Sequence, residues 1–333
     1  MCTSPIAIRY TNVHTLATGY KSLLVPCGKC CECKKRYQND WMLRINEEIK
    51  AVGYKAVFVT LTYNNDSVPR VWDKETGCCY FSVCKRHVQN VIKRFRTNYK
   101  RKFGNDAPLR YFLTSEYGPR TCRPHYHAIF FGLDKSDLLP LLNDWSERYG
   151  YTKADNISGK PTAVAKYVSK YCSKGVFECP YVAQGFVAPT FHLMSKGIGK
   201  AYVERNDVRR HFLYWPLVDK YKDRSKGLYS ESYLDFVGFR LVMSLDGFNY
   251  ALPRYYKVKL YGVQTTLLRQ VEDYVFRTNM QILDDQCAKL QSERGCTYRE
   301  ALDIVNRSSR DEMRQREITA KSQLERFYNQ SKL

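Results

Sequence analysis

No stretch of this 333-residue chain comes near the roughly 20 consecutive apolar residues that a membrane-spanning helix needs, so the sequence argues against a helical membrane protein. Its first residues, "MCTSPIAIRYTNVH", lack the basic-then-apolar order of a secretion signal, and the expectation is an intracellular protein. In that compartment its 13 cysteines read as metal ligands or buried thiols rather than disulfides. Acidic residues are scarce: 33 Asp and Glu face 54 Lys and Arg, a formal net charge of +21. That imbalance says little about fold but selects a polyanionic partner. The 27 tyrosines favour nucleic acid over an anionic membrane, because stacking on bases and pairing with phosphates are the two parts of single-strand binding. Helicase signatures, internal repeats and long low-complexity tracts are missing too. "MSKGIGKAY" (194–202) has glycines like those of a phosphate loop, without the G-x-x-x-x-G-K-[ST] spacing or a clear strand before it.

The elements that are there alternate in kind. A cysteine cluster and a helix fill the first fifty residues, and "GYKAVFVTLTY" (53–63) is rich in β-formers and reads as a buried strand. From Cys84 to Phe103, Val88, Val91, Ile92, Phe95 and Tyr99 recur at helical spacing, while eight Lys or Arg and no acid occupy the rest. "LRYFLTSEYG" (109–118) and "HYHAIFFGL" (125–133) are strands joined by the turn "GPRTCRP", a hairpin. "SDLLPLLNDWSERYG" reads as a helix starting at Ser136 with Pro140 in its first turn, and "TAVAKYVSKYCSK" as a compact helix capped by Gly175. The order predicts an α+β fold with a central antiparallel sheet flanked by helices. Four regions follow: a Cys-rich segment 1–50 packed on the catalytic domain, a core 51–205, a Tyr-rich extension 206–262, and a helical C-terminal tail 263–333. In the tail, Thr297 and Glu300 form a capping-box pattern.

The chemistry concentrates in "CRPHYHAIFFG" (122–132). Strand alternation points His125 and His127 to one face, where two neutral imidazoles suit a divalent metal. The plainer reading of a bare H-x-H is one packed and one solvated histidine. Glu116, on the preceding strand, can be returned by the hairpin to meet both imidazoles, and two His with one carboxylate make a facial site with open positions. A carboxylate favours hard cations such as Mg²⁺ or Mn²⁺, although an exposed strand glutamate is also ordinary. In "AKYVSKYCSK", Tyr167 and Tyr171 stand at i and i+4, with Lys166, Lys170 and Lys174 as a stripe beside them. Nearby ammonium groups favour a phenolate, yet paired tyrosines on an amphipathic helix are more often core.

Taken in order, "CGKCCEC", "FVTLTY", "SEYG" with "RPHYHAIFFG", "KYVSKYCSK" and, more weakly, "MSKGIGKAY" resemble the HUH endonucleases. Within them, the pattern is most similar to the rolling-circle replication initiators of small single-stranded DNA phages, the gokushovirus-like Microviridae. The resemblance spans residues 25–205 and implies a palm-like antiparallel sheet carrying the metal, with the tyrosine helix above it. It implies His125, His127 and Glu116 as metal ligands, Tyr167 and Tyr171 as nucleophiles, and Lys170 as the lysine between them. Tyr126, the middle residue of H-x-H, is expected to point away from the metal. Transesterification would leave a 5′-phosphotyrosine and a 3′-hydroxyl primer, and would rejoin strands into circles. The substrate would be single-stranded or unwound origin DNA, with unwinding and synthesis supplied by a host helicase and polymerase in the bacterial cytoplasm. Phosphate contacts are expected from Lys85, Arg86, Lys93, Arg94, Arg96, Arg123, Lys166 and Lys174.

Cys27, Cys30 and Cys33 form C-x₂-C-x₂-C, and Tyr37 stands where a ferredoxin-type run needs its fourth cysteine. Structural zinc, with Cys31, Cys78, Cys79 or Cys84 as fourth ligand, and metal-free buried thiols both remain open. A non-catalytic, zinc-stabilised single-strand-binding regulator, and an HUH transposase or relaxase, are the competing functional readings.

Overall fold

The computed structural model describes residues 6–9, 22–28, 30–75, 77–118, 121–157, 161–173, 180–183, 185–213, 222–223, 228–262 and 266–305. In chain order, a hairpin of β1 (Ile6–Arg9) and β2 (Ser22–Val25) precedes α1 (Cys31–Ala51) and the long strand β3 (Ala56–Tyr63). A small hairpin of β4 (Arg70–Trp72) and β5 (Cys79–Phe81) leads into α2 (Lys85–Phe103), β6 (Arg110–Tyr117) and β7 (Pro124–Phe131). Then come α3 (Lys135–Arg148), β8 (Gly150–Asn156), α4 (Pro161–Ser173), α5 (Pro180–Ala183), β9 (His192–Met194), α6 (Lys200–Glu204) and α7 (Asn206–Leu213). The last third holds β10 (Lys222–Asp223), β11 (Leu228–Tyr229), α8 (Glu231–Arg240), β12 (Val242–Leu245), β13 (Phe248–Ala251), α9 (Arg254–Tyr261) and α10 (Thr266–Arg294).

The chain divides into two compact units, one of residues 35–214 and 242–263, the other of 1–34, 215–241 and 264–333. This division cuts across the four regions read from the sequence.

The first unit is built on one antiparallel sheet of order β8-β3-β7-β6-β9. It is an α+β fold, as the sequence predicts. Because alternate residues of a strand face opposite sides, β3 sends Val57, Val59, Leu61 and Tyr63 to one layer and Phe58, Thr60 and Thr62 to the other. The first layer is the main apolar core. There β3 meets Leu113, Tyr126, Ala128 and Phe130 of the sheet, Val88, Val91, Ile92 and Phe95 of α2, and Leu138, Leu141, Leu142 and Trp145 of α3. On the opposite side α1 covers one end of the sheet, with Trp41 against Phe112 at 4.8 Å between ring centroids and Arg110 paired to Glu48. α4 covers the middle, burying Ala165 and Val168.

Three details depart from the sequence reading. α3 begins at Lys135 after Asp134, whose backbone N–H donates to the Asp137 carboxylate at 3.1 Å, so the cap lies before Ser136. Pro140 consequently falls in the second turn, where it is exposed and the hydrogen bond it cannot donate costs little because the orphaned carbonyl faces water. The "SKGIGK" loop is held by side chains rather than poised for phosphate: the Gly199 N–H donates to Glu48 Oε2 at 2.6 Å, and Arg44 Nε to the Ile198 carbonyl at 3.1 Å. Gly175, the expected cap of α4, lies outside the described residues.

In the second unit α8 and α10 pack through Tyr233, Leu234 and Val237 against Leu268 and Val271, with Gly238 allowing close approach to Val275. The Thr297–Glu300 box forms: the Glu300 carboxylate accepts from the Thr297 N–H at 2.9 Å, ahead of helical residues 298–305. Among the described residues, no helix is long and apolar enough to cross a membrane.

Candidate active site

The hairpin of β6 and β7 sets Glu116 directly opposite His125, and Thr114 opposite His127. On the other side of β7, β3 sets Thr62 opposite His125 and Thr60 opposite His127. Directly opposed residues share a face, so two transverse rows result. One reads Thr62–His125–Glu116 and the other Thr60–His127–Thr114. Tyr126 goes to the opposite layer, where it is fully buried and bonded to the Tyr63 hydroxyl at 3.0 Å.

Each imidazole is oriented by a threonine. Thr60 Oγ1 lies 3.2 Å from His127 Nδ1, and Thr62 Oγ1 lies 3.1 Å from His125 Nδ1. Tying down Nδ1 fixes the ring and leaves Nε2 as the atom that looks into the site. His127 Nε2 meets Glu116 Oε2 at 3.0 Å, with both side chains largely buried. Burial, with His127 and Arg123 nearby, holds the pKa of His125 below the usual histidine value against the opposing pull of Glu116. His125 is therefore neutral at neutral pH, the form that can donate a lone pair to a metal. Its Nε2 faces Gly118, where an added Cβ would stand 3.2 Å away.

α4 places Tyr167 over this face. Its ring is edge-on to His127, with centroids 5.9 Å apart, and to Phe58 at 5.6 Å, while Phe58 stacks in parallel with His127 at 6.0 Å. Lys166 is exposed beside it. Lys170 and Tyr171 are on α4, one turn on from Lys166 and Tyr167, but their side chains lie outside the described residues, as does all of Lys174.

A third histidine, not singled out from the sequence, joins the same face. His192 on β9 is opposite Thr114 and its Nδ1 lies 3.0 Å from Thr114 Oγ1, repeating the threonine–histidine pairing on the next strand. The sequence signal for the first two pairs was present in "VTLTY", where T-x-T has the same period as H-x-H.

The basic residues of α2 stand elsewhere. Lys85, Arg86, Lys93, Arg94 and Arg96 belong to the helix packed on the opposite side of the sheet. Arg94 pairs with Asp144 of α3 at 2.7 Å, and Arg96 donates to the Leu109 carbonyl at 3.0 Å. Arg123 donates to the Tyr63 carbonyl at 2.7 Å and to Asn65 Oδ1 at 2.9 Å, tying the hairpin turn to the end of β3.

A second candidate centre lies in the other unit. Cys27, Cys30 and Cys33 bring their sulfurs within 4.8 Å of one another, and the Cys30 N–H donates to Cys27 Sγ at 3.3 Å. Such a cluster can hold a metal such as zinc. Among the described residues it is the tightest grouping of three ligand atoms; the His125, His127 and Glu116 set is looser.

Comparison with known proteins points one way. Residues 56–176, which run from the start of β3 past the end of α4, match the family model for replication-associated protein ORF2. The chain is 30% identical to the replication-associated protein ORF2 of Spiroplasma virus 4 over 195 residues, 56% of this chain and 58% of that protein. It is 26% identical to the replication-associated protein VP4 of Bdellovibrio phage phiMH2K over 116 residues, 35% of this chain and 34% of that one. With the replication-associated protein ORF4 of Chlamydia phage 1 it shares 24% identity over 240 residues, 71% and 53% of the two lengths. Each match thus spans less than two thirds of the relative. No solved structure matches the chain. The sheet with its histidine pair and its tyrosine helix, residues 56–176, belongs to the replication-associated protein ORF2 family.

Proposed function

We propose that this protein initiates rolling-circle replication by nicking single-stranded or unwound origin DNA and later rejoining it. The observation that carries this reading is the seating of Tyr167 against His127, with His127 paired to Glu116 at 3.0 Å on an otherwise apolar sheet face. A phenol beside an imidazole–carboxylate set is suited to phosphodiester exchange. His125, His127 and Glu116 fit a hard divalent cation, Mg²⁺ or Mn²⁺, because both Nδ1 atoms are already engaged and a carboxylate adjoins His127 Nε2. Such a cation, when bound, would polarise the scissile phosphate.

The residues of the chain do the rest. The Tyr167 oxygen gives up its proton and bonds to phosphorus in line with the departing 3′-oxygen, which leaves as a 3′-hydroxyl. One phosphodiester is exchanged for another, so a second tyrosine, Tyr171, or the 3′-hydroxyl itself can reverse the step and close a circle. Lys166 and Lys170 favour the phenolate by charge. A base-paired strand cannot be splayed over a sheet covered by α4, which selects single strands. The relatives are replication-associated proteins of bacterial viruses. The reaction would accordingly run inside an infected bacterium, with a host helicase and polymerase as partners. In the other unit, Cys27, Cys30 and Cys33 are suited to a structural zinc, whose thiolates the Cys30 N–H and the first turn of α1 would stabilise.

Incubation with Mn²⁺ and end-labelled single-stranded DNA from the encoding genome, followed by a denaturing gel, tests the reading. The expected result is a protein-linked DNA band that disappears without metal and in the Tyr167→Phe/Tyr171→Phe variant. An adduct that survives both removals would overturn the assignment. A native gel shift with no covalent band under any metal would favour the non-catalytic binding protein.

A further inference from the structure

β8 is the outer strand of the sheet on the β3 side, and its row on the site's face is open: Tyr151, Lys153 and Asp155 are exposed. Tyr151 is the most open of the three strands' aromatics, at 68%. A lone exposed aromatic is ordinary on a protein surface. The register makes this one less so. Tyr151 is opposite Thr62, which is opposite His125, which is opposite Glu116. Lys153 is in the next row, opposite Thr60 and then His127. Tyr151 therefore stands in line with the imidazole pair, two strand spacings or about 10 Å from His125.

A nucleotide or two of single strand covers that distance. A flat ring left in water at that remove, with an ammonium group two residues along on the same face, has the two components of single-strand binding: a stacking surface and a phosphate partner. The chain's net charge of +21 supplies the long-range attraction. The next residue on this face, Asp155, stands opposite Phe58 and repels phosphate. It limits the path to the Tyr151–Lys153 end, away from the Phe58 side where Tyr167 packs.

We propose that Tyr151 is the platform on which a base of the substrate strand stacks next to the scissile phosphate, with Lys153 meeting the backbone beside it. The inference rests on the reading of this face as a DNA-nicking site, and it adds where the strand leaves that site.

The test is the affinity of a short fluorescein-labelled, mixed-sequence single-stranded DNA for the full chain, measured by anisotropy over a range of salt. The metal-dependent adduct assay is run in parallel. Tyr151→Ala is expected to weaken binding roughly 5- to 150-fold, the value of one lost base stack, and to lower adduct yield at limiting DNA. Tyr151→Phe keeps the ring and is expected to bind within about twofold of the parent, a rescue that loss of stacking explains. Lys153→Gln is expected to reduce the salt slope by about 0.7, one phosphate contact. Because both side chains are exposed, thermal midpoints are expected to stay unchanged.

Wild-type affinity in Tyr151→Ala, or a Tyr151→Phe variant as weak as Tyr151→Ala, overturns the platform. If the parent forms the adduct while Tyr151→Ala binds as well as it does, this inference alone falls. If the parent forms no adduct but Tyr151→Ala still loses affinity, the nicking reading falls and the platform stands.

Discussion

At the scale of single residues, the site depends on which ring nitrogen each histidine offers. Thr62 and Thr60 settle that by holding Nδ1 of His125 and His127. Replacing Thr62 by Val keeps shape and β-propensity while removing the hydroxyl. Thr62→Val is expected to lower Mn²⁺ affinity roughly 10- to 100-fold, the usual effect of losing an outer partner of a ligand, with little change in the circular dichroism spectrum. A calorimetric Mn²⁺ titration indistinguishable from wild type would contradict the role. His125, His127 and Glu116 could be read from the sequence because strand alternation and a hairpin bring them together by local rules. The threonines were less visible, since Thr in a strand is explained by β-propensity alone. His192 was invisible: its partner Thr114 is 78 residues away and β9 has three residues. Burial also lowers the pKa of His87, His125 and His192. Below the ordinary histidine value of about 6.5 the unfolded chain binds protons that these folded histidines refuse, so stability falls as pH falls from there. Thermal unfolding at pH 7.5 and 5.5, above the carboxylate range, is expected to give the lower midpoint at pH 5.5. A midpoint equal or higher at pH 5.5 would contradict the assignment.

At the scale of elements, the strand the sequence hid is the one the site leans on. β8, "GYTKADN", has only Ala154 well buried beyond its leading glycine, and an edge strand with one wet face shows too little alternation to be read as a strand. It is fixed by its first residue. Gly150 adopts φ 148, and a Cβ there would meet Asn64 N at 2.3 Å and the Thr62 carbonyl at 2.6 Å. Gly150→Ala is therefore expected to cost roughly 2–4 kcal/mol, and to loosen β3 at Thr62. Urea denaturation checks it, and a change below about 0.5 kcal/mol would show that the backbone can relax. α2 shows the opposite case. Its apolar stripe was plain in the sequence and its buried residues are the expected ones, yet which side of the sheet it takes is a matter of topology. Its exposed cations face away from the histidines, and Arg94 is engaged by Asp144, an acid 50 residues on that no local count of charges reveals.

For the whole molecule, the α+β class followed from the order of elements, whereas the division into units did not, because residues 215–241 and 264–333 return to join the N-terminal segment. The Cys27, Cys30 and Cys33 cluster lies in that second unit. Protein purified under reducing conditions is expected to carry about one zinc per chain, released to a chromophoric chelator, and Cys33→Ser to carry none. Zinc-free reduced protein with an unchanged thermal midpoint would leave the thiols without a metal. The central claim concerns the tyrosines, and the sequence offers a direct way to reach them. Trypsin cuts after Lys166, Lys170 and Lys174, so Tyr167 and Tyr171 fall on separate peptides, "YVSK" and "YCSK". Mass spectrometry of the digested, nuclease-trimmed DNA adduct is the measurement to make. The account predicts a nucleotide joined through its 5′-phosphate to one or both of these peptides, with a 3′-hydroxyl on the released strand. A nucleotide on any other peptide, or a phosphate left on the 3′ end, would contradict it.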